Sequence, residues 1–200
     1  MMNNWRYPIL LVVLTCVISG CSSNVQKKQF YTLHQHSEQS VNPVQIKGSI
    51  GIGPVELPES FQGDRIVSFS DEQRIIKSNS HLWAGDFKQA MSRTLAADIS
   101  QAYAYDDVWP FPWDTRHRPQ YQISLLVEQL GGVLGGDVQM SLKWTLFEDH
   151  GRKIVAVGRE DFIEKTTNSS YESYVAAINK LVNQCSIQLQ QLIRERLPES

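Results

Sequence analysis

Two cysteines, Cys16 and Cys21, stand five residues apart near the start of the chain. Thiols at such a spacing could bind a metal, form a disulfide or act as a redox pair. Their surroundings decide between these chemistries. Cys16 lies inside the apolar run PILLVVLTCVIS (8–19), whereas Cys21 stands where the sequence becomes polar, at SSNVQKK (22–28). The two side chains therefore belong to segments of different character.

The segment before Cys21 has the parts of a secretory signal. Arg6 supplies a positive charge, an apolar run of about a dozen residues follows, and Ser19 and Gly20 give a small-residue cleavage site. The run is shorter than the ~20 residues of a membrane-spanning helix. We therefore predict a signal peptide over residues 1–20. Its removal takes Cys16 away and leaves no metal or disulfide role for the cysteine pair.

The sequence ISGC (18–21) resembles the lipobox of bacterial lipoproteins. This resemblance implies that the Sγ atom of Cys21 receives diacylglycerol and that cleavage before Cys21 frees an amino group for a further acyl chain (palmitate). The alternative is a general secretory signal with an incidental cysteine. Ser22, rather than an aspartate, follows the cysteine, and the lipoprotein sorting rule then favours the outer membrane. We predict lipidation at Cys21 and a location on the periplasmic face of that membrane.

The mature chain has the size of one domain. Removing 20 of 200 residues leaves 180, and losing Arg6 leaves 18 basic against 21 acidic side chains, a net charge of −3. The sequence contains no run of basic residues that would indicate nucleic-acid binding. Residues 21–28 are predicted to be the lipidated cysteine and a polar tether, and the seven residues after Cys21 span at most ~25 Å. Residues 29–200 form the predicted domain.

Apolar periodicity predicts the elements of that domain. Strands are expected over 29–33, 46–57, 64–70, 73–79, 121–130, 137–148 and 152–165. Helices are expected over 82–104, beginning near Gly85 or Asp86, and over 171–197. Together they predict an α/β single domain with a mixed, largely antiparallel sheet and two main helices packed on it.

Two local predictions concern the second helix. Ser169 with Glu172 makes a better capping box than Ser170 with Ser173, so Ser169 is expected to cap its beginning. Cys185 lies on the apolar stripe of this helix and is expected to be buried as a small hydrophobic residue.

The chain has few residues that could do catalysis or bind a metal. His34 and His36 could share a metal on one strand face, but no third ligand is near, and solvated histidines are the alternative. The patterns H-E-x-x-H and G-x-S-x-G do not occur, and GSIGIGP lacks the lysine of a phosphate loop. We therefore predict no catalytic residue, no metal site and no cofactor.

The segment 105–119 combines three prolines with Trp109, Phe111 and Trp113. Prolines disfavour regular structure, so the segment is predicted to be irregular. The three aromatic side chains are candidates for a contact with a partner protein or with lipid. The alternative is that they cover the end of the core.

The chain is similar to the ABC-type transport auxiliary lipoproteins. The matching features occur in order: the lipobox with Cys21, FYTL (30–33), IGPVELPESFQGDRIV (52–67), LWAGDFKQAMSRTLAADIS (82–100) and MSLKWTLF (140–147). The resemblance implies helices packed on a sheet and a noncatalytic role. Trp83 and Trp144 match the family pattern and are expected in the core, with an interface as the alternative. The segment 105–119 departs from that pattern.

The same resemblance implies a partner. Such lipoproteins accompany MCE-domain proteins (PqiB-like) that span the periplasm and carry lipid, and the lipoprotein would dock the distal end of the tube at the outer membrane. A docking subunit predicts a stable protein partner and possible homo-oligomers. A lipid-binding carrier, the main alternative, predicts an acyl-chain pocket beneath the sheet. An envelope enzyme is disfavoured, because no catalytic constellation is present.

Overall fold

The computed structural model describes residues 27–36, 46–70, 74–114, 116 and 118–198. Cys21 and the predicted signal peptide lie outside these residues. The elements, in chain order, are β1 (Gln29–Tyr31), β2 (Ile50–Glu56), a 3-10 turn (Glu59–Phe61), β3 (Arg65–Phe69), β4 (Ile75–Trp83), α1 (Phe87–Tyr103), β5 (Val108–Pro110), β6 (Tyr121–Gly132), β7 (Asp137–Glu148), β8 (Lys153–Lys165) and α2 (Tyr171–Arg196).

The strands form two sheets on which both helices pack. The larger has the order β5-β2-β6-β7-β8, with β2 parallel to β5 and β6, and with β6, β7 and β8 as the predicted antiparallel meander. The smaller has the order β1-β4-β3, with an antiparallel β3–β4 hairpin and β1 parallel to β4. The α/β single domain with two helices is confirmed, with the mixed sheet divided in two.

One tyrosine joins the two sheets. The buried hydroxyl of Tyr174 on α2 donates to the Val67 carbonyl of β3 at 2.8 Å and accepts from the Gly132 amide of β6 at 3.1 Å. A further parallel bridge pairs Phe69 with Val133 beside it. Because burial penalises the phenolate, the pKa of Tyr174 is raised. The neutral hydroxyl is therefore held in place to satisfy two buried backbone groups.

The first helix begins where its cap predicts. The Asp86 side chain accepts from the Gln89 amide at 2.9 Å, which satisfies one of the free amides of the first turn. Residues 82 and 83, at the start of the segment 82–104, belong to the end of β4, and the helix begins just after Asp86, close to the expected start. The apolar stripe is buried as predicted and consists of Phe87, Met91, Leu95, Ile99 and Ala102.

The second helix is capped by a different serine from the one expected. The Ser170 side chain accepts from the Ser173 amide at 3.1 Å, so the prediction of Ser169 as the cap is wrong. The reason is that Glu172, which a capping box would use, accepts instead from the Tyr31 hydroxyl at 2.9 Å. The Ser173 hydroxyl in turn accepts from the amide of Thr167.

A single buried cluster fills the space between helices and sheets, and Cys185 belongs to it with 1% exposure. Burial raises the pKa of the Cys185 thiol to about 12, so it is a packed thiol as predicted. Trp83 is buried as expected. Trp144 is half-buried at the edge of the core, where its ring covers Gly158.

Among the described residues, no helix combines the length and apolarity needed to cross a membrane.

Candidate interaction surface

The aromatic segment forms one edge of the larger sheet. The prediction of irregular structure missed β5, which pairs in parallel with β2 and places Trp109 beside Gly51 and Pro110 beside Ile52. Pro110 has no amide hydrogen, so it cannot donate to a further strand. This edge is therefore poorly suited to strand addition and presents side chains instead.

A buried serine fixes the position of Phe111. The Ser92 hydroxyl on α1 donates to the Ile52 carbonyl at 2.6 Å and accepts from the Phe111 amide at 2.9 Å. The Phe111 amide also lies 2.9 Å from the Ile52 carbonyl. Two elements, α1 and β2, thus fix the backbone at Phe111, which limits the movement of its ring.

Two glycines of β2 make room for the aromatic rings. A Cβ at Gly51 would stand 2.8 Å from the Trp113 ring, and a Cβ at Gly53, where φ is +119°, would stand 2.6 Å from the Phe111 Cβ. Phe111 and Trp113 then meet edge to face, with ring centroids 5.1 Å apart. Two of the three predicted aromatic residues are therefore packed against the sheet and against each other.

The three aromatic side chains differ in exposure. Trp109 is 43% exposed and Phe111 39%, whereas Trp113 is half-buried over β2. The Trp109 Nε1 donates to Asp107 Oδ1 at 2.6 Å, which orients the indole. The structure brings the predicted residues to one surface and gives them two roles. Trp113 covers the sheet, while Trp109 and Phe111 keep part of their apolar area exposed.

A groove runs beside Phe111. It has a volume of about 180 Å³ and is lined by Val55, Asp86, Lys88, Gln89, Ser92, Phe111 and Pro112. Sites for drug-sized ligands are clefts of roughly 300–1,000 Å³. This groove is smaller than that range, so its size suits a side chain from a partner better than a whole lipid.

The meander carries a second exposed surface that the sequence analysis did not single out. On β8, at the opposite edge of the larger sheet, Ile154, Val157 and Ile163 are 59%, 67% and 61% exposed. The consecutive apolar residues IVAV (154–157) and Phe162–Ile163 were the signal that could have identified them, because adjacent residues of a strand face opposite sides of the sheet.

Ion pairs lie between these apolar residues. Glu128 binds Lys143 at 2.5 Å and Arg159 at 2.6 Å. The hydrogen bond from Lys143 is the main reason that the pKa of Glu128 is lowered. Exposed pairs of this kind contribute little stability. Their main effect is to hold the charges of this face in a fixed arrangement.

A polar cluster fixes the point where the chain enters the domain. The Tyr31 hydroxyl lies 2.9 Å from Glu172 Oε1 and 2.7 Å from His81 Nδ1, and the His81 ring stacks on Tyr171 at 4.1 Å. The Tyr31 hydroxyl also lies 2.7 Å from Gln29 Oε1, so three polar groups surround its one proton. Burial and the Glu172 carboxylate raise the pKa of Tyr31 to about 12.

The residues after β1 continue across the helices. The His34 amide donates to Asn179 Oδ1 at 2.8 Å and the His36 amide donates to Asp98 Oδ1 at 2.9 Å. Both histidines are exposed, in keeping with the solvated alternative. Within the part of the chain that the structure describes, no group of three His, Cys, Asp or Glu side chains is placed to hold a metal.

The fold and these surfaces define a domain that packs two helices on a divided sheet and presents aromatic residues at one edge. The chain belongs to the family of ABC-type transport auxiliary lipoprotein components, which matches residues 31–190. The resemblance drawn from the sequence is thereby confirmed.

The chain is similar to two curated relatives, both called intermembrane transport lipoprotein PqiC. The protein of Escherichia coli (strain K12) is 24% identical over 199 residues, which covers 98% of this chain and 100% of the relative. The protein of Shigella flexneri matches to the same extent.

Two crystal structures have the same fold. A protein from Xanthomonas campestris superposes with a TM-score of 0.69 at 11% identity and covers 81% of this chain and 92% of its own. An uncharacterized protein superposes with a TM-score of 0.66 at 19% identity and covers 84% and 99%.

Proposed function

We propose that this protein is a lipoprotein anchored through Cys21 to the periplasmic face of the outer membrane. There it serves as a noncatalytic docking subunit of an MCE-type intermembrane lipid transport system. Its partner is an MCE-domain protein of the PqiB type that spans the periplasm. The observation that carries this proposal is family membership over residues 31–190, combined with a lipobox at 18–21 in the expected place before the domain.

The described residues support docking better than a carrier role. A carrier needs an acyl-chain pocket beneath the sheet, between it and the helices. That space is occupied by one continuous cluster of buried side chains, which includes Met91, Leu95, Ile178, Leu181, Ile123, Met140 and Leu142. Interiors packed in this way leave few voids larger than a water molecule. We therefore prefer a protein partner to a bound lipid.

Trp109 and Phe111 are the side chains that we assign to the partner contact, with Trp113 as their support. Aromatic residues are enriched where protein interfaces are strongest. Rigid presentation lowers the entropy lost on binding, and Phe111 is held by Ser92 and packed on Trp113. Because Pro110 blocks strand addition at this edge, the contact uses side chains rather than backbone hydrogen bonds.

Copurification from the outer-membrane fraction tests this proposal. After crosslinking in cells, mass spectrometry is expected to identify an MCE-domain protein with the wild type. Cys21→Ala is the matched control, since it removes the anchor and leaves the domain unchanged, and we expect it to lose the capture. Bound lipid without an MCE-domain protein, in cells that contain the transporter, would favour the carrier instead.

A further inference from the structure

The direction of β1 indicates which end of the domain faces the membrane. β1 runs parallel to β4, with Gln29 beside His81 and Tyr31 beside Trp83. The chain that precedes Gln29 therefore leaves toward the beginning of β4, where Ile75 lies. This end of the smaller sheet, at the turn between β3 and β4, is called the hairpin end below.

The tether from Gln29 back to Cys21 is just long enough to extend past the hairpin end. Gln29 stands eight positions after Cys21, which is at most ~27 Å of extended chain. The six residues from His81 back to Ile75 take up ~20 Å of strand. If the tether is extended and continues the direction of β1, Cys21 lies about 7 Å beyond Ile75, measured along the strands.

The chain leaves from a fixed base. The Tyr31 hydroxyl contacts Glu172 and His81, and the amides of His34 and His36 are bound by side chains of α2 and α1. Residues 31–36 are thus held by four contacts, two at Tyr31 and one each at His34 and His36. The domain cannot swing about residues 29–36 without breaking these bonds, so the direction of the tether at its exit is set by the fold.

The hairpin end exposes large apolar side chains. Ile75 is 51% exposed and Ile76 42%. Ile75 pairs across the hairpin with Phe69, and Phe69 pairs with Val133, which is itself 41% exposed. Ile75, Phe69 and Val133 therefore form an apolar row from β4 to the end of β6. Contiguous exposed apolar area is typical of a protein or membrane contact.

Basic side chains accompany this row. Lys27 and Lys28 precede β1, and Arg74 and Lys77 flank Ile75 and Ile76; all four are exposed. Between β3 and β4 the sequence also has two acidic residues outside the described residues, Asp71 and Glu72, so these six charged residues have a net charge of +2 (four minus two). Apolar residues with basic neighbours are the combination that binds a phospholipid surface carrying anionic headgroups.

We propose that the hairpin end, with Ile75 and Ile76, rests on the phospholipid surface that holds the Cys21 anchor. This inference rests on the proposed lipidation. The occupant is a lipid surface rather than a protein because the tether ends beside this patch and is too short to carry it away from the membrane. The contact gives the domain one orientation, in which the edge with Trp109 and Phe111 remains free for the partner.

Site-specific labelling of the lipidated full-length protein tests this orientation. Ile76→Cys carries a bimane fluorophore, and Val157→Cys on β8, which is 67% exposed, is the matched control. Cys185 is buried and does not react, and Cys21 is acylated, so each variant has one reactive thiol. The protein is reconstituted in vesicles of phosphatidylethanolamine and phosphatidylglycerol that contain a lipid with a nitroxide on its acyl chain.

We expect the nitroxide to cause a loss of fluorescence at position 76 and none at position 157. Equal quenching at both positions, or quenching only at 157, would overturn the orientation. Shielding of position 76 only after an MCE-domain protein is added would assign the patch to a protein. The mass of the mature protein shows whether Cys21 is acylated. A protein without acyl chains would overturn both the proposed function and this orientation, whereas an acylated protein with the wrong quenching pattern would overturn the orientation alone.

Discussion

The indole of Trp113 lies over Gly51 of β2, so close that a Cβ at Gly51 would stand 2.8 Å from the ring. The side chain of Pro119 would stand equally near. The aromatic segment is therefore fitted to the sheet through a position where only glycine has room. This contact makes Trp113 the support on which Phe111 and the exposed part of the segment depend.

Gly51→Ala tests this contact. The added methyl group overpacks the space under Trp113, and we expect a loss of about 1–3 kcal/mol in the free energy of unfolding. Urea denaturation followed by tryptophan fluorescence measures it. Gly85→Ala is the control, since a Cβ there meets no atom within 4 Å and the variant should retain wild-type stability. Equal stability of both variants would show that the segment does not pack as described.

Tyr174→Phe tests the link between the two sheets. The substitution keeps the ring and removes the hydroxyl that bonds Val67 and Gly132, which leaves a buried amide without a partner. We expect a loss of about 1–3 kcal/mol in the free energy of unfolding. Tyr171→Phe, a half-buried residue on the same helix, serves as the control. Hydrogen exchange should also become faster at Gly132 than in the wild type.

Asp98→Asn tests the cost of a buried charge. Burial raises the pKa of Asp98, although the His36 amide and Ser186 partly oppose this effect. A carboxyl group whose folded-state pKa is raised contributes stability below its unfolded pKa and loses that contribution as the pH rises through the folded pKa. The wild type should therefore lose stability relative to the variant between acidic and neutral pH. The exposed Asp106→Asn should show no such trend across the same urea titrations.

A thiol count tests the cysteine chemistry. Burial suppresses the thiolate of Cys185, whose pKa is about 12, and acylation consumes the Sγ of Cys21. Ellman's reagent should find no reactive thiol in the native mature protein and one in denaturant. One thiol in the native protein and two in denaturant would show that Cys21 is free and would contradict the anchor.

Periodicity was sufficient to predict the helices and the meander, because their faces contact the core in regular alternation. It could not predict β5, since a three-residue strand with Pro110 gives no period. It also could not predict that Glu172 bonds Tyr31 rather than completing a capping box with Ser169, because Tyr31 and Glu172 are 141 residues apart in the sequence. Such long-range hydrogen bonds leave no trace in local sequence.

The candidate surface was only partly predictable. Composition identified Trp109, Phe111 and Trp113, but their different burial follows from Gly51 and Gly53, which lie on another strand. The sequence analysis did not identify the hairpin end as a candidate surface. Its position on the side where the tether leaves the domain follows from the parallel pairing of β1 with β4, which no local sequence pattern predicts.

The docking role is tested most directly by a photo-crosslinking amino acid placed at Trp109 in the lipidated protein in cells. The matched control is the same amino acid at Ile187 on α2, which is 51% exposed. The account predicts an adduct with an MCE-domain protein from position 109 and none from position 187. Adducts with phospholipid alone from position 109, in cells that contain the MCE-domain protein, would contradict it.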